Sequence, residues 1–104
     1  MTDKELLTLA AKAHGELLKD KYGEWAVVDK YGLLDEWNPL TEDGDAFRLA
    51  VKLGMDVEIG ITFSWACAEK GNRGGHSVPT HGDPLTATRL AIVRAAAEIG
   101  RTMP

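Results

Sequence analysis

Val57-Glu58-Ile59-Gly60-Ile61-Thr62-Phe63-Ser64-Trp65-Ala66-Cys67-Ala68 is the stretch that decides the fold class. Val57, Ile59, Ile61, Phe63, Trp65 and Cys67 are apolar, and the residues between them are small or polar. A period of two sends alternate side chains to opposite faces of a strand, so the pattern predicts β structure with one apolar, buried face. A single strand of that length would be unusual. A bulged strand and a tight hairpin near residues 60–64 both fit.

Working outward toward the C-terminus, residues 71–82 read Gly-Asn-Arg-Gly-Gly-His-Ser-Val-Pro-Thr-His-Gly. Their glycines and proline predict a loop. Asp83-Pro84 then opens a helix over 84–99, with Asp83 as N-cap and Pro84 at the first helical position, where its missing donor costs nothing. Leu85, Thr88, Ile92, Ala95, Ala96 and Ile99 form its inner stripe, and Gly100 is expected to end it.

On the N-terminal side, Thr41 and the acids Glu42, Asp43 and Asp45 predict a helix start, giving a second helix over 42–53. Its apolar stripe is Phe47, Ala50, Val51 and Gly54, widened by Leu49 and Leu53. Asn38-Pro39 breaks any strand before it. Short strands are predicted at residues 25–28 and 33–37, joined by a turn at Asp29-Lys30-Tyr31-Gly32. A first helix over 3–19 begins with the capping box Thr2-x-x-Glu5. Leu6, Leu9, Ala10, Ala13 and Leu17 recur on it at helical spacing, with Leu7, His14 and Leu18 extending the arc. Tyr22-Gly23 marks the expected exit.

The order is therefore α-β-β-α-β-(β)-α. It predicts an α+β fold: a three-layer α/β/α sandwich with three helices around a small, mostly antiparallel sheet of three or four strands. The 104 residues form one domain, 1–104, and no internal repeat or linker is expected to divide it. Cys67 is the one cysteine, which excludes an intramolecular disulfide and fits a reducing compartment. The opening Met1-Thr2-Asp3-Lys4-Glu5 does not resemble an export signal, and no apolar run is long enough to span a membrane. A net charge of −4 makes nucleic acid an unexpected partner.

Candidate chemistry is sparse. Arg73, Gly74, Gly75, His76 and His81 are the candidate ligand-binding residues, because backbone N–H groups in a glycine-rich turn and at a helix N-terminus cradle anions. The loop lacks the P-loop pattern. His76, His81 and Asp83, with Cys67 or Glu69 as a further donor, supply metal-ligand chemistry without a recognised spacing. Solvated histidines and a capping aspartate are the plainer reading, so no metal and no cofactor is predicted. His14 reads as a hydrogen-bonded core histidine rather than a general base, and Cys67 as a buried, unreactive thiol. On helix three, Leu90, Arg94, Ala97 and Arg101 form a candidate interaction surface. Leu90, Val93 and Ala97 lie outside the inner stripe, flanked by Arg94 and Arg101, and leave the helix apolar over most of its circumference, which favours a homodimer.

Two stretches carry a resemblance: Trp37-Asn38-Pro39-Leu40-Thr41-Glu42-Asp43-Gly44-Asp45-Ala46-Phe47-Arg48-Leu49-Ala50-Val51-Lys52-Leu53 and Ala87-Thr88-Arg89-Leu90-Ala91-Ile92-Val93-Arg94-Ala95-Ala96-Ala97-Glu98-Ile99-Gly100. With the opening helix they resemble small bacteriophage accessory proteins carrying the phage ABA sandwich domain. The resemblance implies helices on both sides of a sheet and expression in the cytoplasm of an infected bacterium. It implies no activity and no functional residues. The expected function is a non-enzymatic binding protein that modulates a host or phage macromolecule, counter-defence being one such role. The alternatives are a small-ligand or nucleotide binder using residues 71–82, and a metal-dependent enzyme at His76, His81 and Asp83.

Overall fold

The computed structural model describes residues 2–67 and 75–104. The fold is α+β, with α1 (Asp3–His14), β1 (Leu18–Lys19), β2 (Trp25–Val28), β3 (Leu34–Glu36), α2 (Asp43–Lys52), β4 (Asp56–Glu58), β5 (Phe63–Cys67), β6 (Gly75–Pro79) and α3 (Pro84–Thr102). The strands form two antiparallel three-stranded sheets, β1-β2-β3 and β4-β5-β6. Helix α3 packs against the second sheet, and α1 and α2 pack against α3. The expected single sheet between helix layers is thus replaced by two small sheets, one of them lining α3.

Helix α1 starts as predicted. The Thr2 hydroxyl accepts from the Glu5 N–H at 3.1 Å, and the Glu5 carboxylate accepts from the Thr2 N–H at 3.0 Å. The helix ends at His14 rather than residue 19, because Gly15 turns left-handed at φ 85° and its N–H returns to the Ala11 carbonyl. Leu17 and Leu18 therefore leave the helix, and Leu18 enters β1.

Tyr22-Gly23, expected as a helix exit, lies in the β1–β2 hairpin turn. A short repeat is present after all: Asp-Lys-Tyr-Gly occurs at 20–23 and again at 29–32. In each copy the aspartate carboxylate accepts N–H groups two and four residues on, and the glycine takes a positive φ. The same four residues thus build both turns of the first sheet. Trp25 and Val27 pack toward the core from this sheet, while Leu18, Val28 and Leu34 are exposed on its other face.

The stretch Val57–Cys67 forms the hairpin β4–β5, the second of its two admissible forms. The alternating apolar residues do not share one buried face, which corrects the expectation: the chain reverses between β4 and β5, so Val57 lies opposite Ala66 and packs against the core, while Phe63 and Trp65 lie on the other face of the sheet. Ser64 and Ala66 are fully buried, whereas Ile61 is 94% exposed and Ile59 and Phe63 are also exposed. The cause lies in α3, which turns Ala87, Ala91, Ala95 and Ala96 inward. A helix this slender sits close to the sheet and leaves room only for small side chains beneath it. The Ser64 and Thr88 hydroxyls meet across that contact at 2.8 Å. Cys67 is buried, in accord with its predicted environment.

Part of the predicted loop is strand. Residues 75–79 form β6, which pairs with β5 from Phe63↔Pro79 to Cys67↔Gly75. Gly75 permits this pairing because the Trp65 indole lies where its Cβ would stand. The buried Thr80 hydroxyl donates to the Ile61 and Thr62 carbonyls, tying the β4–β5 connection to the end of β6.

Helix α3 begins at the predicted cap. The Asp83 carboxylate accepts from the Thr86 N–H at 3.1 Å and the Thr86 hydroxyl at 2.7 Å, and these bonds hold its pKa below the usual carboxylate value. The helix runs through Gly100 to Thr102 instead of ending at Gly100. Gly100 is buried where α1 crosses, and a Cβ there would lie 2.0 Å from the Leu9 carbonyl oxygen. Val93 and Ala97, expected outside the inner stripe, are buried as well. Leu85, expected within it, is exposed.

The crossing yields a prediction of unusual sign. Gly→Ala inside a helix ordinarily stabilises by about 1 kcal/mol. Gly100→Ala should instead lower stability by about 1–3 kcal/mol, since the obstacle is backbone and cannot rotate away. Urea denaturation midpoints of the two proteins check this.

Candidate functional site

The predicted site residues do not assemble into one centre. Arg73 and Gly74, like Glu69, lie outside the described residues. Gly75 serves the Trp65 contact. His76 is half-buried in β6, opposite Ala66. His81 is exposed, and with Gly82 it forms a turn of positive φ (45° and 85°) closed by the Asp83 N–H on the Thr80 carbonyl at 2.7 Å. That pattern is a type I′ turn, which accounts for His-Gly at this position. Asp83 is occupied with capping α3. Among the described residues, no group of three His, Cys, Asp or Glu side chains is placed to hold a metal ion.

Of the candidate surface on α3, Arg94 and Arg101 are exposed, Leu90 is half-buried and Ala97 is buried. His76, Arg94, Ala97 and Arg101 come together with Leu6, Leu9 and Glu98 around a depression of about 190 Å³. Glu98 pairs with Arg101 there. The apolar circumference of α3 that suggested self-association is covered within the chain by α1, α2 and the second sheet.

Of the acids at the start of α2, Asp43 and Asp45 are engaged in structure, and Glu42 stands at the N-cap without a side-chain capping bond. The Asp45 carboxylate, buried, accepts from the Asn38 N–H at 2.9 Å and from Arg48 at 3.0 Å. The Asn38 side chain accepts from the Leu40 N–H, closing the turn around the buried Pro39. Arg89 reaches over from α3: its Nε donates to the Leu40 carbonyl at 2.9 Å, and its guanidinium also pairs with Asp43 and Thr86. Arg89 thereby locks the start of α2 onto α3.

One apolar concavity among the described residues lies outside the expected sites. A groove of about 650 Å³ runs between α2, β4 and α3. Ala46, Ala50 and Ile92 line it from the buried core. Its margin is apolar and exposed: Phe47 (67%), Val51 (64%), Ile59 (70%) and Leu85 (61%). Of the expected apolar stripe of α2, Ala50 and Leu49 are buried, together with Ala46, whereas Phe47 and Val51 are exposed. The sequence signal was an apolar arc on α2 wider than one covered face requires.

His14 sits at the end of α1, half-buried, with its ring edge-on to Trp37 at 5.7 Å between centroids. Its Nδ1 accepts from the Glu16 N–H at 3.3 Å, which requires that nitrogen to be unprotonated. Burial holds its pKa below the usual 6.5, helped by Lys52 and opposed by Glu16.

Compared with known proteins, the chain matches no family model, no curated protein and no solved structure.

A pH dependence follows from His14. Folding favours its neutral form, so the unfolded chain takes up a proton first as pH falls. Stability should decline as pH drops from about 6.5 toward the lower folded-state pKa, and this contribution should level off below it. Thermal melts between neutral and mildly acidic pH should show the decline, and His14→Gln should flatten the slope in that window.

Proposed function

We propose that this chain is a non-enzymatic binding module whose docking site is the groove between α2, β4 and α3. The observation that carries this reading is the exposed apolar margin of Phe47, Val51, Ile59 and Leu85 around an apolar floor. A small-molecule pocket encloses most of its ligand. Here large side chains stand out into solvent along the opening. Contiguous apolar area of this kind is the mark of a protein-binding surface. The partner is therefore a host or phage protein that inserts an apolar segment. The resemblance of residues 37–53 and 87–100 to phage accessory proteins supports a role in the cytoplasm of an infected bacterium. Among the described residues, no helix is long and apolar enough to cross a membrane.

Phe47→Glu tests the reading. Phe47 is exposed, so stability should change by no more than about 0.5 kcal/mol. Affinity capture from infected cells, with wild type and variant as parallel baits, should recover a partner that the variant loses. A partner held equally by both baits would place the docking surface elsewhere.

A further inference from the structure

We propose that the depression between α1, α3 and the start of β6 binds a small monoanionic carboxylate with an apolar tail. It shares no residue with the groove between α2, β4 and α3, so the inference stands apart from that reading. One stripe of α3 builds it. Arg94, Ala97, Glu98 and Arg101 fall at i, i+3, i+4 and i+7, which puts them on one face of the helix. Ala97 stands between the two arginines in this stripe, and its side chain ends at Cβ. Leu6 and Leu9, three residues apart on α1, supply the rest of the apolar lining. His76 comes from β6, where it lies opposite Ala66 on the sheet face that α3 covers. A volume of about 190 Å³ is below the roughly 300–1,000 Å³ that encloses a drug-sized ligand, so the occupant is small.

Charge selects the head group. Glu98 is within reach of both arginines, four residues after Arg94 and three before Arg101. It pairs with Arg101. Among the described residues, Arg94 is thereby left without an ion pair or a side-chain hydrogen bond, in a chain of net charge −4. The Glu98 bond uses Nη2 of Arg101, and a guanidinium has further donors to offer. The His76 side chain also has no partner among the described residues, and an imidazole presents an N–H in either charge state. With Arg94 and Arg101 set against Glu98, the lining carries excess positive charge that a monoanion balances. The parallel N–H groups of a guanidinium match the two oxygens of a carboxylate. Leu6, Leu9 and Ala97 favour an apolar group behind it.

NMR titration of the full nitrogen-15-labelled chain tests this with N-acetyl-leucine, its neutral amide and inorganic phosphate. N-acetyl-leucine should bind saturably and shift the backbone signals of His76, Ala97 and Arg101. The amide lacks the charge and phosphate lacks the apolar part, so each should bind about tenfold or more weakly. Arg94→Gln changes an exposed residue, and should weaken N-acetyl-leucine about tenfold while leaving the rest of the spectrum in place. Phe47→Glu should bind it as the wild type does. Equal binding of the acid and its amide, or by wild type and Arg94→Gln, would overturn the carboxylate assignment. Equal binding of phosphate would overturn the apolar tail. Tighter binding of a peptide ending in Gly-Gly-Leu would overturn the free small acid and assign the depression to a chain terminus. No saturable binding of N-acetyl-leucine up to about 10 mM would overturn the proposal as a whole.

Discussion

The close approach of α1 to α3 is the contact on which the rest of the structure depends. It is made of small groups. Gly100 lies against the Leu9 backbone, and Ala10 and Ala11 of α1, like Ala96 and Ala97 of α3, are buried. Packing of this kind draws its stability from many short dispersion contacts rather than from large buried side chains. Helix α3 repeats the arrangement toward the second sheet, where Ser64 and Ala66 are fully buried. Because the central helix is sheathed in small residues, its neighbours come close on several sides. Phe47 and Val51 of α2, Ile59 and Ile61 between β4 and β5, and Phe63 of β5 are left at the perimeter.

That constraint explains which parts of the fold were legible in the sequence. Local signals read well: the Thr2–Glu5 capping box, the Asp83-Pro84 helix start and the Asp29-Lys30-Tyr31-Gly32 turn each depend on residues near one another in the chain. The alternation from Val57 to Cys67 correctly announced β structure. It could not announce that the chain reverses between Glu58 and Phe63, which puts Val57 on the covered face with Ala66 and leaves Phe63 and Trp65 on the other. Nor could the apolar arc of α2 announce that Leu49 and not Phe47 reaches the core. Gly100 looked like a helix terminator because its role, letting α1 pass, comes from a residue far away in sequence. The Asp-Lys-Tyr-Gly repeat was fully visible and would have placed the first hairpin. The groove was the least legible feature, because it is formed by three elements whose mutual arrangement no local pattern specifies.

Function follows from what the fold leaves unused. Asp45, Ser64 and Thr80 are buried and each is hydrogen-bonded, while Asp83 and Arg89 are engaged in capping α3 and locking α2. Among the described residues, no buried side-chain nitrogen or oxygen lacks a partner. The carboxylates of Asp45 and Asp83 and the guanidinium of Arg89 are thus spent on structure. The large apolar side chains around the groove are not, and exposing them costs hydrophobic free energy that a partner would recover on docking.

Methyl NMR with a soluble paramagnetic probe tests most directly the claim that small residues fill the interior and large ones are left outside. The account predicts strong relaxation of the Ile59, Ile61 and Leu85 methyl signals, and protection of those of Leu49, Ile92 and Val93. Protection of Ile59 and Ile61 equal to that of Val93 in the monomer would contradict it, and would restore the alternating face as the buried one.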